Sequence, residues 1–216
     1  MKGIIFDMDG TMVDNMMTHH RAWQRKLAAL GLEMPLEEIK EKVHGVNVEI
    51  LERLFGNRFT PAERKHISQE KEAEYRKIFR SELRLLNGLP EFLEELAEAR
   101  IPLAVGSAAP PENVDFVLDE LGIRHYFKAV LHAESVTKGK PDPEIFEKAA
   151  AGIGVPVQDC LIFEDSPTGA EAARRAGSST IILTTTHEKS EFGGLPNVKR
   201  FIADFSGVTI DGIREL

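Results

Sequence analysis

The feature that most constrains the fold is a set of short apolar runs separated by helical patterns. Each run is nearly continuous in apolar residues, which is typical of parallel strands covered on both faces. Four runs are clear, namely GIIFD (3–7), PLAVGS (102–107), DCLIFED (159–165) and STIILTT (179–185). KAVLH (128–132) and RFIADF (200–205) are weaker strand candidates.

Helical patterns lie between most of these runs. Apolar residues three and four positions apart predict helices over 88–99, 112–121 and 143–153. Alternating strands and helices indicate right-handed βαβ units. The sequence therefore predicts an α/β protein with a doubly wound, Rossmann-like parallel sheet.

One long segment after the first strand breaks the alternation. It contains no convincing strand, and its helical patterns cover 19–31, 35–45, 48–56 and 60–81. Thr60 and Glu63 have the spacing of a capping box, with Pro61 at the first helical position. We therefore predict an α/β core of residues 1–14 and 85–216, with a helical domain of residues 15–84 inserted into it.

Composition narrows the class of protein. The chain is 42% hydrophobic and 29% charged, with a formal net charge of -8, which argues against broad nucleic-acid binding. The single cysteine, Cys160, lies in an apolar run and is expected to be a buried structural thiol. Because no apolar run approaches the ~20 residues of a membrane span, and no signal-peptide pattern precedes the first strand, we expect a cytoplasmic protein without a membrane partner.

The first apolar run ends in two aspartates. Side chains on a strand alternate, so Asp7 and Asp9 are expected to face the same side. Two like charges so close repel each other unless a cation or a basic group lies between them. The alternative is a solvated Asp-Gly turn in which the carboxylates only shape the chain.

Polar and charged residues also follow the other predicted strands. Ser107 follows the second strand, Lys140 follows the third, and Glu164 and Asp165 end the fourth. In an open parallel sheet these ends meet at one edge, where ligands bind. Hard oxygen ligands with room for water suit Mg²⁺. A carboxylate there can accept a phosphoryl group, and a second carboxyl group can move the proton.

The order and spacing of these motifs resemble one known family. DMDGT (7–11), a serine after the second strand, KGKPDP (138–143) and EDSPTGAEAARRAG (164–177) are similar to the motifs of the haloacid dehalogenase superfamily of phosphotransferases. The pattern H-x-R-A-W at 19–23 is similar to that of its β-phosphoglucomutase-like branch. The resemblance covers nearly the whole chain and implies that the inserted helices form a cap.

The resemblance implies a role for each motif residue. Asp7 would be the nucleophile and Asp9 the general acid and base, while Ser107 and Lys140 would bind the transferring phosphoryl group. The implied Mg²⁺ ligands are Asp7, the backbone carbonyl of Asp9, Asp165, and Glu164 either directly or through water. Gly10 and Thr11 belong to the turn of the first motif.

Two cap residues resemble functional positions but have simpler explanations. His19 resembles a histidine that responds to cap closure, and the alternative is a solvent-exposed histidine at a helix start, with His20 beside it. Lys71 aligns with a substrate-contacting lysine, and the alternative is one charge among many on a solvated helix. Trp23 is expected in the core of the cap, because Leu27 lies on the same helix face.

Two departures from the mutase pattern bear on function. Asn47 and Val48 stand where mutases place an arginine that grips a second phosphate, and AAPPEN follows Ser107 in place of a more polar run. We therefore predict a Mg²⁺-dependent phosphatase that acts, as a monomer, on a small phosphorylated metabolite such as a sugar phosphate. The alternatives are a β-phosphoglucomutase-type phosphomutase and a non-catalytic relative that binds a ligand.

Overall fold

The chain divides into two compact units. The computed structural model describes residues 1–43 and 45–214. The α/β unit comprises Met1–Asp14 and Arg84–Leu216, and the helical unit comprises Asn15–Leu83.

The α/β unit is built on one six-stranded parallel sheet. Its strands are β1 (Gly3–Phe6), β2 (Leu103–Gly106), β3 (Phe127–Leu131), β4 (Cys160–Glu164), β5 (Ser179–Leu183) and β6 (Val198–Ile202). The strand order is β3-β2-β1-β4-β5-β6, and every neighbouring pair is parallel. The predicted doubly wound α/β fold is therefore confirmed, including its two weaker strands.

Among the described residues, seven α-helices overlap the ranges predicted from the sequence, and two further helices follow them. They are α1 (Met16–Ala29), α2 (Leu36–Lys42), α3 (Asn47–Phe55), α4 (Pro61–Phe79), α5 (Leu89–Glu98), α6 (Pro111–Glu120), α7 (Glu144–Ile153), α8 (Pro167–Ala176) and α9 (Ile210–Arg214).

Both faces of the sheet are covered, which explains why its strands are apolar on both sides. Helices α7 and α8 pack on one face, where Ile5 and Ile162 belong to the buried core. On the other face Phe6 stacks on Phe163, with ring centroids 5.0 Å apart, and Phe92 of α5 packs edge-on against Phe163. Cys160 is buried in the first of these layers, as expected of a structural thiol.

The helical unit has an apolar core of its own. Trp23 and Leu27 of α1 pack there with Ile39 of α2 and Leu51 of α3, so the expectation that Trp23 is a core residue is confirmed. The capping box of Thr60 and Glu63 is present at the start of α4.

Several helix ends in this unit differ from the predicted ones. Helix α1 begins at Met16, one turn before the predicted start at residue 19, and the backbone carbonyl of Asn15 at the N-cap accepts from the Thr18 and His19 N–H groups. Pro35 is the N-cap of α2 and not its first residue, and the helix ends at Lys42. The predicted range 35–45 includes position 44, which lies outside the described residues. No helix in the described part of the chain combines the length and the apolar character needed to cross a membrane.

Candidate active site

The candidate site lies at the point where the strand order of the sheet reverses. β1 pairs with β2 on one side and with β4 on the other, and Phe6 lies opposite Phe163. Asp7 is the first residue after β1 and Glu164 is the last residue of β4, so both leave the sheet at the same edge. The carboxyl ends of strands at such a switch point are the usual ligand-binding position of this architecture.

A buried lysine connects the two strand ends. Lys140 Nζ lies 2.6 Å from Asp7 Oδ1 and 2.7 Å from Glu164 Oε1. The ammonium group also lies 4.7 Å from the centroid of the Phe146 ring, at the start of α7. Two ion pairs and one ring contact therefore restrain the position of the ammonium group.

Glu164 is held by hydrogen bonds to both of its oxygens. Oε1 accepts from Lys140, and Oε2 accepts from the backbone N–H groups of Asp165 and Ser166, each at 2.8 Å, and from the Ser166 hydroxyl at 3.0 Å. Gly169 provides the space for this carboxylate, since a Cβ atom there would lie 1.7 Å from Oε1. Glu164 is therefore a fixed anion that orients Lys140.

Asp165 lies against the turn of the first motif and against the loop after β5. A Cβ atom at Gly10 would lie 2.1 Å from Asp165 Oδ2, and Gly10 also has a positive φ of 76°. Thr186 hydrogen-bonds to the Asp165 side chain, and the Thr185 hydroxyl donates to the Gly10 carbonyl. Only glycine at position 10 allows this close approach.

Thr185, Thr186, Phe146 and Gly169 are site residues that the sequence reasoning missed. The two threonines follow β5 in the run TTTH, so the rule applied to the ends of the other strands would have found them. Phe146 lacks such a signal, because helical spacing explains an apolar residue there equally well. Gly169 lacks one too.

Burial opposes the charged form of each of four groups at the site, and neighbouring charges and hydrogen bonds offset it to different extents. Burial raises the pKa of Asp7 to about 7, because the attraction of Lys140 only partly offsets it and Glu164 adds repulsion. Burial, Glu164 and Asp7 likewise raise the pKa of Asp165 well above its usual range. Burial also opposes ionisation of Glu164, but Lys140 and the hydrogen bonds outweigh it and lower its pKa. Burial disfavours the charged form of Lys140, yet Asp7 and Glu164 raise its pKa overall.

Three carboxylates form a group that fits a divalent cation. Oxygens of Asp7, Glu164 and Asp165 all lie within 4.8 Å of one another, and all three residues are buried. Carboxylate oxygens are the ligands of a hard cation such as Mg²⁺. Burial and the repulsion of neighbouring carboxylates raise the pKa values of Asp7 and Asp165, and a bound cation would favour their ionised forms.

Ser107 and Asp9 occupy the same edge of the α/β unit. Ser107 directly follows β2 and is buried, and its hydroxyl accepts a hydrogen bond from the Ala109 N–H at 3.1 Å. Asp9 is half-buried, and its charge makes a small contribution to the raised pKa of Asp7. The structure thus brings Asp7, Lys140, Glu164 and Asp165 into contact or near contact, with Ser107 and Asp9 on adjoining segments.

His19 and Lys71 belong to a separate polar cluster inside the helical unit. Lys71 Nζ lies 2.8 Å from His19 Nδ1 and 2.9 Å from Glu72 Oε1. The Lys71 side chain is only 2% exposed, so the alternative of a charge on a solvated helix is wrong. His19 stacks on Tyr75 with ring centroids 3.8 Å apart, which also excludes a solvent-exposed histidine.

The comparisons with known proteins agree on one family. The profile of the haloacid dehalogenase-like hydrolases matches residues 1–177. The fructose-1-phosphate phosphatase YqaB of Escherichia coli (strain K12) is 31% identical over 182 residues, covering 83% of this chain and 94% of that protein. The β-phosphoglucomutase of Bacillus subtilis (strain 168) is 33% identical over 187 residues, covering 82% and 80% of the two chains.

Solved structures show the same architecture. A haloacid dehalogenase hydrolase of family IA, variant 3, from Entamoeba histolytica superposes with a TM-score of 0.90 at 24% identity, covering 100% of this chain and 98% of that one. The β-phosphoglucomutase of Clostridium difficile gives a TM-score of 0.84 at 25% identity, covering 100% and 96%.

Proposed function

The chain belongs to the haloacid dehalogenase-like hydrolases and is a phosphatase or phosphotransferase of that family, and we propose that it hydrolyses small phosphate monoesters through Asp7. The observation that carries the proposal is the group of three buried carboxylates with Lys140 bonded to two of them. A solvated Asp-Gly turn does not need a buried lysine that pairs with both Asp7 and Glu164, so we reject that alternative.

The proposed reaction has two displacement steps at phosphorus. An oxygen of Asp7 attacks the phosphorus atom, and the bond to the ester oxygen breaks as an aspartyl-phosphate forms. Asp9 gives its proton to the departing alkoxide, which leaves as an alcohol. Asp9 then takes a proton from water, the water oxygen attacks phosphorus, and the Asp7 carboxylate and inorganic phosphate are released.

The remaining residues position the phosphoryl group and balance its charge. We propose that Lys140 and the Ser107 hydroxyl bind its oxygens, since phosphoryl transfer needs mainly positioning and electrostatic stabilisation. Asp7, Asp165 and the backbone carbonyl of Asp9 would hold Mg²⁺, which when bound neutralises charge on the carboxylates and on the phosphate. Glu164, whose oxygens already accept several hydrogen bonds, would act on the metal through water.

The relatives and the helical unit support one substrate class. The relatives include a fructose-1-phosphate phosphatase and a 6-phosphogluconate phosphatase, both named for phosphorylated sugars or sugar acids. We propose a small phosphorylated metabolite of this kind as substrate. The helical unit would serve as the cap, with His19 and Lys71 contacting the part of the substrate that is not transferred.

The test is phosphate release from an aryl phosphate and from a panel of sugar phosphates, with Mg²⁺ and with EDTA. We expect the wild-type protein to be active with Mg²⁺ and inactive with EDTA. Asp7→Asn should lose at least about three powers of ten in kcat, because it removes the nucleophile. The matched control is Asp211→Asn, an exposed aspartate 93% accessible at its side chain, which should keep full activity.

Activity that survives undiminished in Asp7→Asn would contradict the nucleophile assignment. A wild-type protein that binds phosphorylated sugars but releases phosphate from none of them would instead support a non-catalytic ligand-binding relative.

A further inference from the structure

Three consecutive threonines follow β5, and their hydroxyl groups bond to three different parts of the α/β unit. The Thr184 hydroxyl donates to the last backbone carbonyl of the neighbouring strand β6 at 3.3 Å. The Thr185 hydroxyl donates to the Gly10 carbonyl in the turn of the first motif. The Thr186 hydroxyl bonds to the side chain of Asp165 after β4. The second and third threonines therefore contact the two segments that carry the proposed metal ligands.

The direction of these hydrogen bonds follows from the number of protons that each group can give. A hydroxyl group has one proton to donate, and a carbonyl or an ionised carboxylate can only accept. Thr185 gives its proton to the Gly10 carbonyl, and Thr186 gives its own to Asp165 whenever that carboxylate is ionised to bind a metal. The two hydroxyl oxygens lie 3.5 Å apart, and neither has a proton left for the other. Both hydroxyls therefore act as donors to the site.

Close packing leaves the Asp165 carboxylate little freedom to rotate. Asp165 is 5% exposed, and a Cβ atom at Gly10 would lie 2.1 Å from its Oδ2. The same Cβ atom would lie 2.7 Å from Thr186 Oγ1, so the glycine, the carboxylate and the hydroxyl meet at one point. The bond to Thr186 therefore helps to hold the carboxylate in the orientation in which one of its oxygens lies within 4.8 Å of those of Asp7 and Glu164.

We propose that Thr186 is a positioning residue for the metal site and that its hydroxyl makes the site prefer Mg²⁺ to Ca²⁺. The inference rests on the proposed function, in which Asp165 is a Mg²⁺ ligand. Mg²⁺ needs near-ideal octahedral geometry, whereas Ca²⁺ accepts a larger and more variable number of ligands in flexible arrangements. A carboxylate held in one orientation therefore favours the smaller ion, and a carboxylate that is free to rotate can also bind Ca²⁺ through both of its oxygens.

Thr185 has a related but weaker role in this proposal. Its bond to the Gly10 carbonyl restrains the turn in which the preceding carbonyl, that of Asp9, is a proposed ligand. Because one peptide unit separates the restrained carbonyl from the ligand, we expect a smaller contribution than that of Thr186. Hydrogen-bond partners of metal ligands typically contribute about 10-fold to 100-fold to metal affinity.

The test is the dissociation constant of Mg²⁺ and of Ca²⁺, measured by isothermal titration calorimetry on the full chain without substrate. Thr186→Val keeps the shape of the side chain and removes the hydroxyl. We expect it to raise the Mg²⁺ constant by about tenfold or more and the Ca²⁺ constant by less than about threefold. Thr186→Ser keeps the hydroxyl, and both of its constants should stay within about threefold of wild type.

The run of threonines also supplies the matched control. Thr184→Val removes a hydroxyl that bonds to the Ile202 carbonyl and not to the site, and it should change neither constant by more than about threefold. Thr185→Val should raise the Mg²⁺ constant by about threefold to tenfold. Circular dichroism and the thermal midpoint in EDTA establish that each variant is folded.

The outcomes separate this inference from the proposed function. An unchanged Mg²⁺ constant in folded Thr186→Val, an equal loss of affinity for both ions, or an equal effect of Thr184→Val would overturn the inference alone. So would a Thr186→Ser protein as impaired as Thr186→Val. A wild-type protein that binds no Mg²⁺ and releases no phosphate from any ester tested would overturn the proposed function as well. A loss of Mg²⁺ affinity that exceeds the loss for Ca²⁺, and that Thr186→Ser restores, would establish the inference.

Discussion

At the scale of single residues, the position of Lys140 depends on an aromatic ring as well as on carboxylates. Its ammonium group lies 4.7 Å from the Phe146 centroid, and a cation–π contact of this kind stabilises by about 0.5–2 kcal/mol. Phe146→Leu should therefore lower kcat by roughly threefold to tenfold, with a smaller change in KM, because Lys140 loses one of its restraints.

The matched control is Phe92→Leu. Phe92 is as buried as Phe146, with 1% against 0% exposure, but it packs in the aromatic layer on the other face of the sheet. Both variants should lose thermal stability through the cavity they create, and only Phe146→Leu should lose kcat per folded molecule. Equal losses of kcat would show that Phe146 acts through packing alone.

The pKa of Asp7 predicts how stability and metal binding depend on pH. In the metal-free protein burial raises this pKa from 3.8 to about 7. A carboxyl group whose pKa is raised in the folded state stabilises that state at pH values below its pKa in the unfolded chain. This contribution is lost as the pH rises through the pKa of the folded state. Between about pH 4 and pH 7 the folded protein holds a proton that the unfolded chain has released, so ionisation of Asp7 destabilises the metal-free protein.

Mg²⁺ should reverse this loss, because its ligands must be deprotonated. We expect the increase in thermal midpoint caused by Mg²⁺ over EDTA to grow from pH 5 to pH 8, since the burial of Asp165 acts in the same direction. In Asp7→Asn the growth should be smaller. A Mg²⁺ effect that is the same at every pH would contradict the raised pKa.

At the scale of elements, the strand ends were predictable and the contacts between their side chains were not. Apolar runs place Asp7 after β1 and Glu164 at the end of β4, and the rule for parallel sheets brings both to one edge. The pairing of Lys140 with both carboxylates depends on side-chain rotamers that residue spacing does not specify. The convergence of the site could be predicted, whereas its hydrogen-bond pattern could not.

Helix α4 shows a second limit of sequence patterns. Its buried positions include Arg64, Lys71 and Glu72 beside apolar residues such as Ile67, so the apolar pattern underestimates the buried face. A charged stretch of this kind is typical of a solvated helix. Only tertiary structure shows that Lys71 and Glu72 satisfy each other in the interior.

The first turn of α8 also carries a steric requirement that no pattern indicates. A Cβ atom at Gly169 would overlap Glu164 Oε1, the oxygen that accepts a hydrogen bond from Lys140. Gly169→Ala should destabilise the protein by about 1–3 kcal/mol through overpacking, and it should lower kcat because Glu164 and Lys140 must move together.

Thr168→Ala is the control for this substitution, since Thr168 is an exposed neighbour in the same turn. Its effect on stability should stay within about 0.5 kcal/mol. The measurements are the free energy of unfolding in urea and kcat on the best substrate. If Gly169→Ala and Thr168→Ala behaved alike, Glu164 would have room that the structure does not show.

At the scale of the whole molecule, the chain has a formal net charge of -8 and yet must bind an anionic substrate. The repulsion from distant surface carboxylates is weak at physiological salt, because charges beyond about 8 Å are screened. The affinity for the anionic substrate then depends on the charges near the site. In the α/β unit these are Lys140 and the metal that the three carboxylates would hold. We expect substrate affinity to fall more with EDTA than with a change in ionic strength.

The choice between hydrolysis and phosphoryl transfer to a second hydroxyl depends on how long the enzyme retains its product. A phosphomutase must hold a bisphosphate intermediate while that molecule reorients, and an arginine does so through charge-assisted bonds of roughly 1.5–3 kcal/mol each. Val48 provides no donor for this purpose, and the Asn47 amide is engaged with Glu72. Losing that interaction lowers retention by roughly one to two powers of ten at ~1.4 kcal/mol per decade.

We therefore expect the wild-type protein to release inorganic phosphate from β-glucose 1-phosphate faster than it forms glucose 6-phosphate. Val48→Arg should raise the ratio of isomerisation to phosphate release by about tenfold or more, because it restores a cation that can hold the second phosphate. Val48→Gln, which adds length and an amide without charge, should leave the ratio within about threefold of wild type. Both rates can be followed in one reaction, with a coupled dehydrogenase for glucose 6-phosphate and a phosphate assay. Isomerisation faster than phosphate release in the wild-type protein would mean that Lys71 or another cation replaces the missing arginine.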